Sequence, residues 1–383
     1  MAPPPQGNSL FLVAGEPSGD LMGALLAREL KEIDPAARLY GMGGPKMQAE
    51  GVAIVRDLTQ HAVVGFLEVL KHLPHFLKTL KALVQEVERL KPRAVILIDY
   101  PGFNLRLAHE LKKRGIRVIY FISPQIWAWR RDRVKKIARR VDKMICLFEF
   151  EVPLYESQGL PVRCVGHPFL DIVRTPWTPA QARRELGLQE GIRTIGLLPG
   201  SRENEIRRHL PVLIQSAGLL VKRIGPCQFV ISQSEGTDRD LFTRVLSEKD
   251  SSRFRLIQGH FLDLVNSCDF IVTASGSATL ITGILEKPMI VIYRVGFLTA
   301  LLARLFITIP HIGLVNVVAG KTIVPELLQQ NATPQKLAGL AASILTDPSR
   351  LDEMKQSLRK VRELLGQPGA ARRAAQEVLS SLC

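Results

Sequence analysis

Residues 194–205 read Thr-Ile-Gly-Leu-Leu-Pro-Gly-Ser-Arg-Glu-Asn-Glu, and this stretch predicts the fold of the second half of the chain. The apolar start, Thr194–Leu198, is typical of a buried strand, Pro199 and Gly200 mark a tight turn, and the polar residues from Glu203 are compatible with a helix. A strand that turns directly into a helix presents backbone N–H groups, and Arg202 adds a fixed cation. Such a turn favours the binding of a phosphate group.

A similar turn lies near the start of the chain. Leu10–Ala14 is typical of a buried strand, and the following Gly15-Glu16-Pro17-Ser18-Gly19-Asp20 leads into a helix that begins near Leu21. Two strand-to-helix turns, each at the head of one half of the chain, indicate two nucleotide-type domains with a cleft between them. The first turn offers carboxylates and a hydroxyl, although Asp20 is better interpreted as a cap of the next helix.

Short apolar runs alternate with helical patterns through most of the sequence, which predicts an α/β fold with parallel sheets and crossover helices. The predicted strands of the first half are Leu10–Ala14, Arg38–Met42, Ala94–Ile98, Ile116–Phe121, Met144–Leu147 and Val162–Val165. Those of the second half are Thr194–Leu198, Gln228–Ser232, Phe254–Ile257, Phe270–Thr273 and Met289–Tyr293. The proline-rich segment His167–Pro179 separates the two series and is the predicted linker.

These patterns predict two Rossmann-like domains, the N-terminal one at residues 8–170 and the C-terminal one at residues 171–346. A length of 383 residues with 46% hydrophobic content suits two such cores. No strand is predicted beyond Pro325. Because consecutive helices cannot continue a β/α alternation, residues 347–383 are expected to cross back and pack on the first domain. The predicted helices are Pro334–Thr346, Leu351–Leu365 and Ala370–Leu382.

The charge of the chain predicts an anionic partner. Lysine and arginine number 51 against 36 acidic residues, for a formal net charge of +15. Nucleic acid, phospholipid and a phosphorylated substrate all satisfy that condition. The five cysteines contain no Cys-x-x-Cys pair, which predicts neither a zinc site nor a disulfide scaffold and fits a reducing cytoplasm.

No targeting or spanning segment is expected from the sequence. The N-terminus lacks the basic region of a secretory signal. No run reaches the roughly 18 apolar residues that a spanning helix requires. The nearest, Leu305–Gly320, is interrupted by Pro310. The sequence therefore predicts a protein that is soluble or bound at a membrane surface.

Asp99 is a candidate catalytic residue because of its position after a predicted strand. It follows Ala94–Ile98 and precedes Tyr100-Pro101-Gly102-Phe103-Asn104. Ligands of open parallel sheets bind at the carboxyl ends of strands, so a carboxylate at this point is well placed for chemistry. A turn or N-cap aspartate for the following helix is the alternative, and spacing does not separate the two.

The segment Ser123-Pro124-Gln125-Ile126-Trp127-Ala128-Trp129 places two of the three tryptophans on a loop after a strand. Core packing is their commonest fate, while stacking on a sugar and contact with a membrane interface remain open. A basic helix is predicted directly afterwards, and beside tryptophans it favours an anionic surface over a merely solvated face. Its cations are Arg130, Arg131, Arg133, Lys135, Lys136, Arg139, Arg140 and Lys143.

A second candidate surface is Phe66–Val84, where leucines recur at helical spacing between lysines and histidines. We interpret this stripe as facing a protein core and keep lipid contact as the minor alternative.

In the second half, Ser275-Gly276-Ser277-Ala278-Thr279 follows the predicted strand Phe270–Thr273. Small residues at a helix N-terminus let backbone donors approach a phosphate or a ribose closely. Together with the Pro199–Arg202 turn, this segment predicts a site for a nucleotide diphosphate. Asp238-Arg239-Asp240 matches the D-x-D pattern of metal-dependent sugar transferases, but it lies in a polar stretch typical of an exposed helix start, and we expect no metal there.

Taken in order, several segments resemble the lipid-A-disaccharide synthase family, the membrane-surface glycosyltransferases of Gram-negative lipid A assembly. Each segment is moderately specific and the ordered set, from about residue 10 to about residue 330, is highly specific. The matching segments are Gly15–Asp20, Gly41-Met42-Gly43-Gly44, Ile98–Asn104, Ser123–Arg130, Gly166-His167-Pro168, Pro199–Arg202 with Glu205, Ser275–Leu280, Tyr293-Arg294-Val295 and Val324-Pro325-Glu326-Leu327.

The resemblance implies a GT-B architecture, in which the sugar nucleotide binds the second domain and the lipid acceptor mainly the first. It further implies an inverting transfer from UDP-2,3-diacylglucosamine to 2,3-diacylglucosamine 1-phosphate, which yields UDP and a β-1,6-linked disaccharide. The implied partners are acylated glucosamine lipids and the anionic cytoplasmic face of the inner membrane, not nucleic acid. A homodimer is compatible with it.

By position, the resemblance implies that Asp99 is the general base on the acceptor 6-hydroxyl and that Arg202 stabilises the leaving diphosphate. The other residues implied for the acceptor are Glu16, Ser18, Gly19, Asp20, Asn104, Gln125 and Trp127. Those implied for UDP are Gly200, Ser201, Arg202, Glu205, Gly259, Ser275, Gly276, Ser277, Ala278, Thr279 and Asn316. No metal and no cofactor are expected, because arginine and helix N-terminal amides can stabilise the charge that develops on UDP.

The chain departs from the family pattern at two positions of the second domain. Ile281 stands where the family usually has a glutamate of the kind that holds the donor ribose, so Thr282 or Glu286 is a candidate substitute. Val315 stands where Gly-Leu-Pro-Asn is usual, although Asn316 is retained.

Three alternatives remain open from the sequence. The first is another GT-B enzyme acting on UDP-N-acetylglucosamine, either the transferase of peptidoglycan precursor synthesis or a UDP-sugar 2-epimerase. The second is a nucleic-acid-binding protein, which no helix-turn-helix, zinc or RNP-type signature supports. The third, motivated by Ile281, is a scaffold that keeps the fold without the chemistry.

Overall fold

The structure, a computed structural model, describes residues 8–56, 73–129, 133–234, 236–246, 253–296 and 310–382. The chain forms two compact units. The first runs up to Asp171 and takes in the C-terminal segment from Gly366 onwards, and the second comprises Ile172–Leu365. Each unit is built on one parallel sheet with helices between the strands, as the alternating sequence pattern predicts.

The first unit contains a seven-stranded sheet in the spatial order β3-β2-β1-β4-β5-β6-β7. Its strands are β1 (Ser9–Ala14), β2 (Arg38–Met42), β3 (Ala53–Arg56), β4 (Ala94–Ile98), β5 (Val118–Phe121), β6 (Lys143–Cys146) and β7 (Val162–Cys164). The central strands are nearly unbroken apolar runs because helices cover a parallel sheet on both faces. The sequence reading missed β3, an edge strand of only four residues, each of which is half-buried or exposed.

The helices of the first unit follow the strand order along the chain. They are α1 (Pro17–Ile33), α2 (Pro45–Ala49), α3 (Leu73–Leu90), α4 (Pro101–Lys112), α5 (Ile126–Trp129), α6 (Val134–Ala138), α7 (Val152–Glu156) and α8 (Phe169–Ile172), the last of these at the boundary between the units. The buried faces of α3 and α4 pack with β4 and β5 in one continuous apolar core.

The second unit contains a six-stranded parallel sheet in the order β10-β9-β8-β11-β12-β13. Its strands are β8 (Arg193–Leu198), β9 (Cys227–Gln233), β10 (Phe254–Gln258), β11 (Phe270–Ala274), β12 (Met289–Tyr293) and β13 (Glu326–Leu328). The expectation of no strand beyond Pro325 is wrong, because Glu326–Leu328 pairs with β12. Three half-buried residues beginning with a glutamate carry too little apolar pattern to predict an edge strand.

The helices of the second unit also follow its strands along the chain. They are α9 (Pro179–Glu185), α10 (Glu203–Ile224), α11 (Asp240–Thr243), α12 (Phe261–Ser267), α13 (Ser277–Ile284), α14 (Leu314–Ala319), α15 (Pro334–Leu345) and α16 (Pro348–Leu364). Thr178 and Gln181 form a capping box at α9, and Thr333 and Asp347 cap α15 and α16.

The C-terminal helices differ from the expectation that residues 347–383 form one segment packed on the first domain. α16 belongs to the second unit, where its apolar face packs on α13 and α14. The chain then turns at Gly366 and Gly369, both at positive φ, and α17 (Ala370–Ser380) packs on α1 of the first unit. Buried alanines on α17 allow this close approach between the two helices.

The strand order reverses once in each sheet, beside its first strand. In the first unit the chain moves from β1 outwards to β3 and then resumes at β4, on the other side of β1. In the second unit it moves from β8 outwards to β10 and resumes at β11. Such switch points are where open α/β sheets bind ligands, just beyond the carboxyl ends of the strands.

No helix in the described part of the chain is long and apolar enough to cross a membrane. Of the apolar run Leu305–Gly320, residues 305–309 lie outside the described residues, and α14 covers Leu314–Ala319.

Candidate functional site

The structure places the main predicted site residues at the two switch points. In the second unit, the Pro199–Arg202 turn follows β8 and the Ser275–Thr279 turn follows β11, and these strands are hydrogen-bonded neighbours. In the first unit, the Gly15–Asp20 turn follows β1 and the Asp99–Asn104 segment follows neighbouring β4. The sheet order therefore brings the two turns of each unit next to each other, as the sequence predicts for those of the second unit.

Gly200 gives the Pro199–Arg202 turn its shape. Its φ is +112°, a conformation that disfavours any side chain, and a Cβ there would lie 2.4 Å from Oε2 of Glu205. Arg202 then takes an extended conformation as the N-cap of α10, whose first turn begins at Glu203. The turn therefore brings backbone close to the space in front of the helix N-terminus.

Glu205 closes this turn with its carboxylate. Its Oε2 accepts from the Ser201 N–H at 3.3 Å and its Oε1 accepts from Nη1 of Arg202 at 3.2 Å. The Arg202 side chain remains 53% exposed, against 16% for Glu205. A backbone N–H and a guanidinium thus already hold one anionic group, which is the donor set that a phosphate needs.

His209 supports the Pro199–Arg202 turn through hydrogen bonds. The sequence analysis did not identify this residue. The Arg294 N–H donates to its Nε2 at 2.9 Å, so Nδ1 carries the proton and donates to the Pro199 carbonyl at 2.8 Å. Burial lowers the pKa of His209, which keeps the imidazole neutral. The side chain of His209, on α10, therefore connects the Pro199–Arg202 turn to the segment that follows β12. A lone histidine on the buried face of a helix was the available signal.

The second turn, after β11, uses its hydroxyls internally. Ser275 Oγ donates to the Ile312 carbonyl at 2.7 Å, and Thr279 Oγ1 donates to the Gly276 carbonyl at 2.8 Å. Gly276 and Ser277 are exposed at the start of α13, and a Cβ on Gly276 would meet nothing. The groups this turn offers a ligand are therefore the exposed backbone of Gly276, Ser277 and Ala278, rather than the hydroxyls of Ser275 and Thr279.

Asn316 does not reach a ligand, which corrects its expected contact with UDP. It is fully buried, and its amide donates to Val324 O and Glu326 Oε1, each at 2.8 Å. Its oxygen accepts from Ile323 N at 2.8 Å and Val324 N at 3.0 Å. All of its hydrogen-bonding groups are used inside the unit, so its role is to shape the segment between α14 and β13.

Gly259 and the proposed substitutes for the missing ribose glutamate lie apart from the two turns. Gly259 follows β10, two strands away from β8, at a φ of +71°. Glu286 pairs with Arg359 and Arg362 on α16, at the far end of α13. Thr282 is fully buried, and its Oγ1 has no hydrogen-bond partner among the described residues.

In the first unit, Asp99 occupies a strained backbone position. Asp99 and Tyr100 have φ of +47° and +48°, which costs on the order of 1–3 kcal/mol per residue. The Asp99 carbonyl is held by Nδ2 of Asn104 at 2.7 Å and by the hydroxyl of Tyr120 at 2.6 Å. Burial raises the pKa of the Asp99 carboxyl to about 6, and the negative charge of Glu16 adds to the effect. Such a carboxyl is suited to general-base chemistry near neutral pH.

Tyr100 joins the first turn to the Asp99 segment. A Cβ on Gly15 would lie 2.2 Å from the Tyr100 ring, so glycine at this position is what allows the ring to lie over the turn. The ring also stacks on Phe103, with centroids 5.9 Å apart. Glu16 and Ser18 lie on the accessible side of this turn, while Gly19 is buried against Ala14.

Asp20 has a structural role, which corrects its expected contact with substrate. It is 2% exposed, and its carboxylate accepts from the N–H groups of Gly44, Lys46 and Met47 at 2.8, 3.0 and 3.1 Å. It therefore caps α2 rather than the helix in which it lies. Asn104 is likewise fully buried, and its amide holds the backbone of Ile98 and Asp99.

Trp127 packs in the core, the commonest fate of such a residue, and does not form a sugar-stacking wall. It is 6% exposed, and its indole N–H donates to Oε1 of Glu151 at 3.1 Å. Glu151 is itself buried, and burial raises its pKa to about 7. Gln125, on the same loop, is exposed and remains available to a ligand.

The predicted basic helix at 130–143 is shorter than expected. Residues 130–132 lie outside the described residues, α6 ends at Ala138, and Lys143 belongs to β6, where its ammonium pairs with Glu377. Lys135, Lys136 and Arg139 are exposed. A cationic surface therefore remains, but on a short helix.

The leucine stripe at 66–84 is described from Leu73 onwards, and residues 66–72 lie outside the described residues. Leu83 and Val84 are buried in the core of the first unit, as the core interpretation predicts. Leu77 departs from it, since it is 52% exposed.

Two solved structures that are similar to this chain show its fold. It matches a UDP-GlcNAc 2-epimerase from Neisseria meningitidis with a TM-score of 0.68 at 15% identity, covering 98% of this chain and 100% of that one. It matches MurG from Acinetobacter baumannii with a TM-score of 0.56 at 13% identity, covering 98% and 100%. Two parallel-sheet α/β units with this likeness define a GT-B fold.

The family follows from sequence. A model of lipid-A-disaccharide synthetase matches residues 10–380. A lipid-A-disaccharide synthase from Syntrophus aciditrophicus is 43% identical over 371 residues, which cover 97% of both chains. The chain therefore belongs to the lipid-A-disaccharide synthase family and is a GT-B glycosyltransferase of lipid A synthesis. The resemblance inferred from the ordered motifs is confirmed.

Proposed function

We propose that this protein transfers 2,3-diacylglucosamine from its UDP derivative to the 6-hydroxyl of 2,3-diacylglucosamine 1-phosphate. The products are UDP and the β-1,6-linked disaccharide 1-phosphate, with inversion at the donor anomeric carbon. The observation that carries the proposal is Asp99, a half-buried carboxylate with a raised pKa at the switch point of the first unit. The family supplies the substrate class, and this residue supplies the base that a single displacement requires.

The acceptor hydroxyl is activated at Asp99. Its carboxylate takes the proton as the hydroxyl oxygen attacks the anomeric carbon, and the carbon–oxygen bond to the diphosphate breaks. A pKa of about 6 leaves the carboxylate mostly ionised at neutral pH while keeping it basic enough to accept the proton. Glu16 and Ser18, on the accessible side of the neighbouring turn, are the polar groups that we assign to the acceptor.

The leaving diphosphate binds at the two turns of the second unit. Arg202 and the Ser201 N–H, which hold Glu205 in this structure, would pair with the phosphates instead. The exposed backbone at Gly276–Ala278 provides further donors at a helix N-terminus. These groups stabilise charge in the transition state without a metal, which is our proposal for the cofactor requirement.

The test is disaccharide formation from the two purified acylated sugars by wild-type protein and by Asp99→Asn. We expect Asp99→Asn to lower turnover about 10²–10⁴-fold, because the base is lost while shape is kept. Asp352→Asn, an exposed position on α16 paired with Lys355, is the matched control and should leave turnover unchanged. Unchanged turnover in Asp99→Asn would remove Asp99 from the mechanism.

Three variations of this assay test the remaining chemistry. NMR of the product reports the anomeric configuration, and an α linkage would contradict the inverting mechanism. EDTA should leave the rate unchanged, so strong inhibition would contradict the metal-free proposal. UDP should be released only when acceptor is present, whereas a 2-epimerase of the same fold would need no acceptor.

We further propose that the protein works at the anionic cytoplasmic face of the inner membrane. Support comes from the net charge of +15 and from the exposed cations Lys135, Lys136 and Arg139. Retention on anionic vesicles at physiological salt, without comparable binding to DNA, is the expected result. Equal retention on DNA would favour a nucleic-acid partner instead.

A further inference from the structure

Two cysteines that lie far apart in sequence are direct neighbours in the first unit. Strands β6 and β7 are parallel, and their register places Cys146 opposite Cys164. Residues opposite each other on adjacent strands project from the same face of the sheet. Neighbouring strands lie about 4.8 Å apart. This spacing falls within the roughly 4.4–6.8 Å between Cα atoms that a disulfide requires.

The two thiols differ in how they can be reached. Cys146 is fully buried, and its Sγ donates weakly to the carbonyls of Phe148 at 3.7 Å and Arg163 at 3.6 Å. Cys164 is partly exposed on β7, which is the edge strand of the sheet. A small reagent can therefore react with Cys164 first. Cys146 can then react only with the sulfur of Cys164.

The surroundings favour the thiolate at Cys164. Hydrogen bonding with the Cys146 thiol lowers the pKa of Cys164 and outweighs burial, which raises it. The Gly166 N–H also lowers this pKa, and Glu149 raises it. The same interaction, together with burial, raises the pKa of Cys146. Since the thiolate is the reactive form, Cys164 is the nucleophile of the pair and Cys146 is the resolving thiol.

We propose that Cys146 and Cys164 form a reversible disulfide when the protein meets a hydroperoxide. In the first step the Cys164 sulfur attacks the peroxide oxygen, the O–O bond breaks, and Cys164 becomes a sulfenic acid as water or an alcohol leaves. In the second step the Cys146 sulfur displaces the hydroxyl of the sulfenic acid as water, and the S–S bond forms. An external dithiol reverses the reaction and is itself oxidised to a disulfide.

The other described cysteines do not share this arrangement. Cys268 is fully buried, and burial raises its pKa to about 12. Cys227 is also buried, and burial raises its pKa. They lie on the second unit and provide an internal comparison.

The experiment is oxidation of the reduced protein by limiting hydrogen peroxide in a Cys383→Ser background, which removes the cysteine outside the described residues. After alkylation, peptide mapping should show a Cys146–Cys164 link, with a mass lower by two hydrogen atoms, that dithiothreitol reverses. Cys227→Ser should leave the link intact. In Cys146→Ser the link should be absent, and dimedone should trap a sulfenic acid on Cys164.

Binding of phenylarsine oxide tests the proposal on protein in which Cys146 and Cys164 are both unchanged. It condenses with two adjacent thiols, so the reduced protein should bind one equivalent, and peroxide treatment should abolish that binding. Absence of both the link and arsenical binding would overturn the proposal. A link through Cys227 or Cys268, or oxidation of Cys164 beyond sulfenic acid without linkage in the presence of Cys146, would overturn it too.

Discussion

Asp99 illustrates how a backbone conformation prepares a side chain for chemistry. Two consecutive residues at positive φ would be unfavourable in isolation, and Asn104 and Tyr120 stabilise them by holding the Asp99 carbonyl. Asn104 therefore acts on Asp99 rather than on substrate. Both residues belong to the segment Ile98–Asn104, in which the side chain of Asn104 fixes the backbone of Asp99.

Glu16 is predicted to tune the pH dependence of the reaction. Burial is the main cause of the raised pKa of Asp99, and the charge of Glu16 is the second. Glu16→Gln removes that negative charge, so the pKa of Asp99 should fall and the acid limb of kcat/KM against pH should move to lower pH. The profile should be measured from about pH 4 to about pH 8, roughly two units to each side of the limb.

Ser18→Ala is the matched control for Glu16→Gln, since it alters the same turn without changing its charge. Its acid limb should coincide with that of the wild type. A limb that stays in place, or moves to higher pH, in Glu16→Gln would show that Glu16 does not act on Asp99.

His209 is predicted to position the Pro199–Arg202 turn, where we propose that UDP binds. His209→Ala leaves the Pro199 carbonyl and the Arg294 N–H unpaired, which should cost about 2 kcal/mol or more in the free energy of unfolding. The affinity for UDP, measured by calorimetry, should fall at least about tenfold because the turn loses its support.

Ser216→Ala, on the same helix, separates positioning from stability. Its hydroxyl donates to Val212 O within α10, so its loss should cost less and leave UDP binding unchanged. If His209→Ala lowers stability but binds UDP with wild-type affinity, His209 is purely structural.

At the level of helices and strands, the capping of helix N-termini explains the structural role of several motif residues. Asp20 lies in the first turn of α1 yet caps α2, a contact between residues more than twenty positions apart. The Gly41–Gly44 motif is its counterpart, because Gly44 donates one of the three N–H groups and Gly43 leaves room for Met47. The Gly15–Asp20 and Gly41–Gly44 segments, which are separate motifs in the sequence, are therefore in direct contact in the structure.

Asp20→Ala should destabilise the protein strongly. Three N–H groups lose their acceptor, two of these bonds being buried, so we expect a loss of about 2–3 kcal/mol in the free energy of unfolding. Thr333→Ala removes an exposed cap of α15 and should cost about 1 kcal/mol. Denaturant unfolding measures both, and equal losses would contradict the role of burial at Asp20.

At the level of the whole chain, the C-terminal segment from Gly366 belongs to the first unit, although it follows the second unit in sequence. Arg373 is its main polar anchor, since its guanidinium donates to the Val165 carbonyl at 2.9 and 2.7 Å and to the Pro368 carbonyl at 2.8 Å. The neighbouring Arg372 is 56% exposed and reaches Glu29 and Glu32 at 3.6 and 3.5 Å.

These adjacent arginines give a matched pair of variants. Arg373→Ala should lower the free energy of unfolding by about 1–3 kcal/mol, because the Val165 carbonyl loses two part-buried hydrogen bonds from a charged donor. Arg372→Ala should cost less than about 1 kcal/mol, since solvent screens exposed ion pairs. Thermal unfolding checks the order, and a larger effect at Arg372 would contradict it.

Periodicity and turn chemistry were sufficient to predict two α/β halves, the buried strands and the four turns that flank the switch points. Each depends on local physics: an apolar run requires burial, and a glycine at positive φ permits a sharp turn into a helix. The family followed from the order of the motifs. Two edge strands, β3 and β13, were missed, because pairing with strands elsewhere in the chain stabilises them.

The roles of individual polar residues required the folded chain. Asp20, Asn104, Asn316 and Trp127 lie in motifs beside the predicted site, yet each directs its polar atoms into the protein. His209 and the Cys146–Cys164 pair gain their significance from neighbours distant in sequence. The physical reason is that a side chain's hydrogen-bond partners and its burial depend on which elements pack together, whereas strands and turns are largely set by residues next to one another.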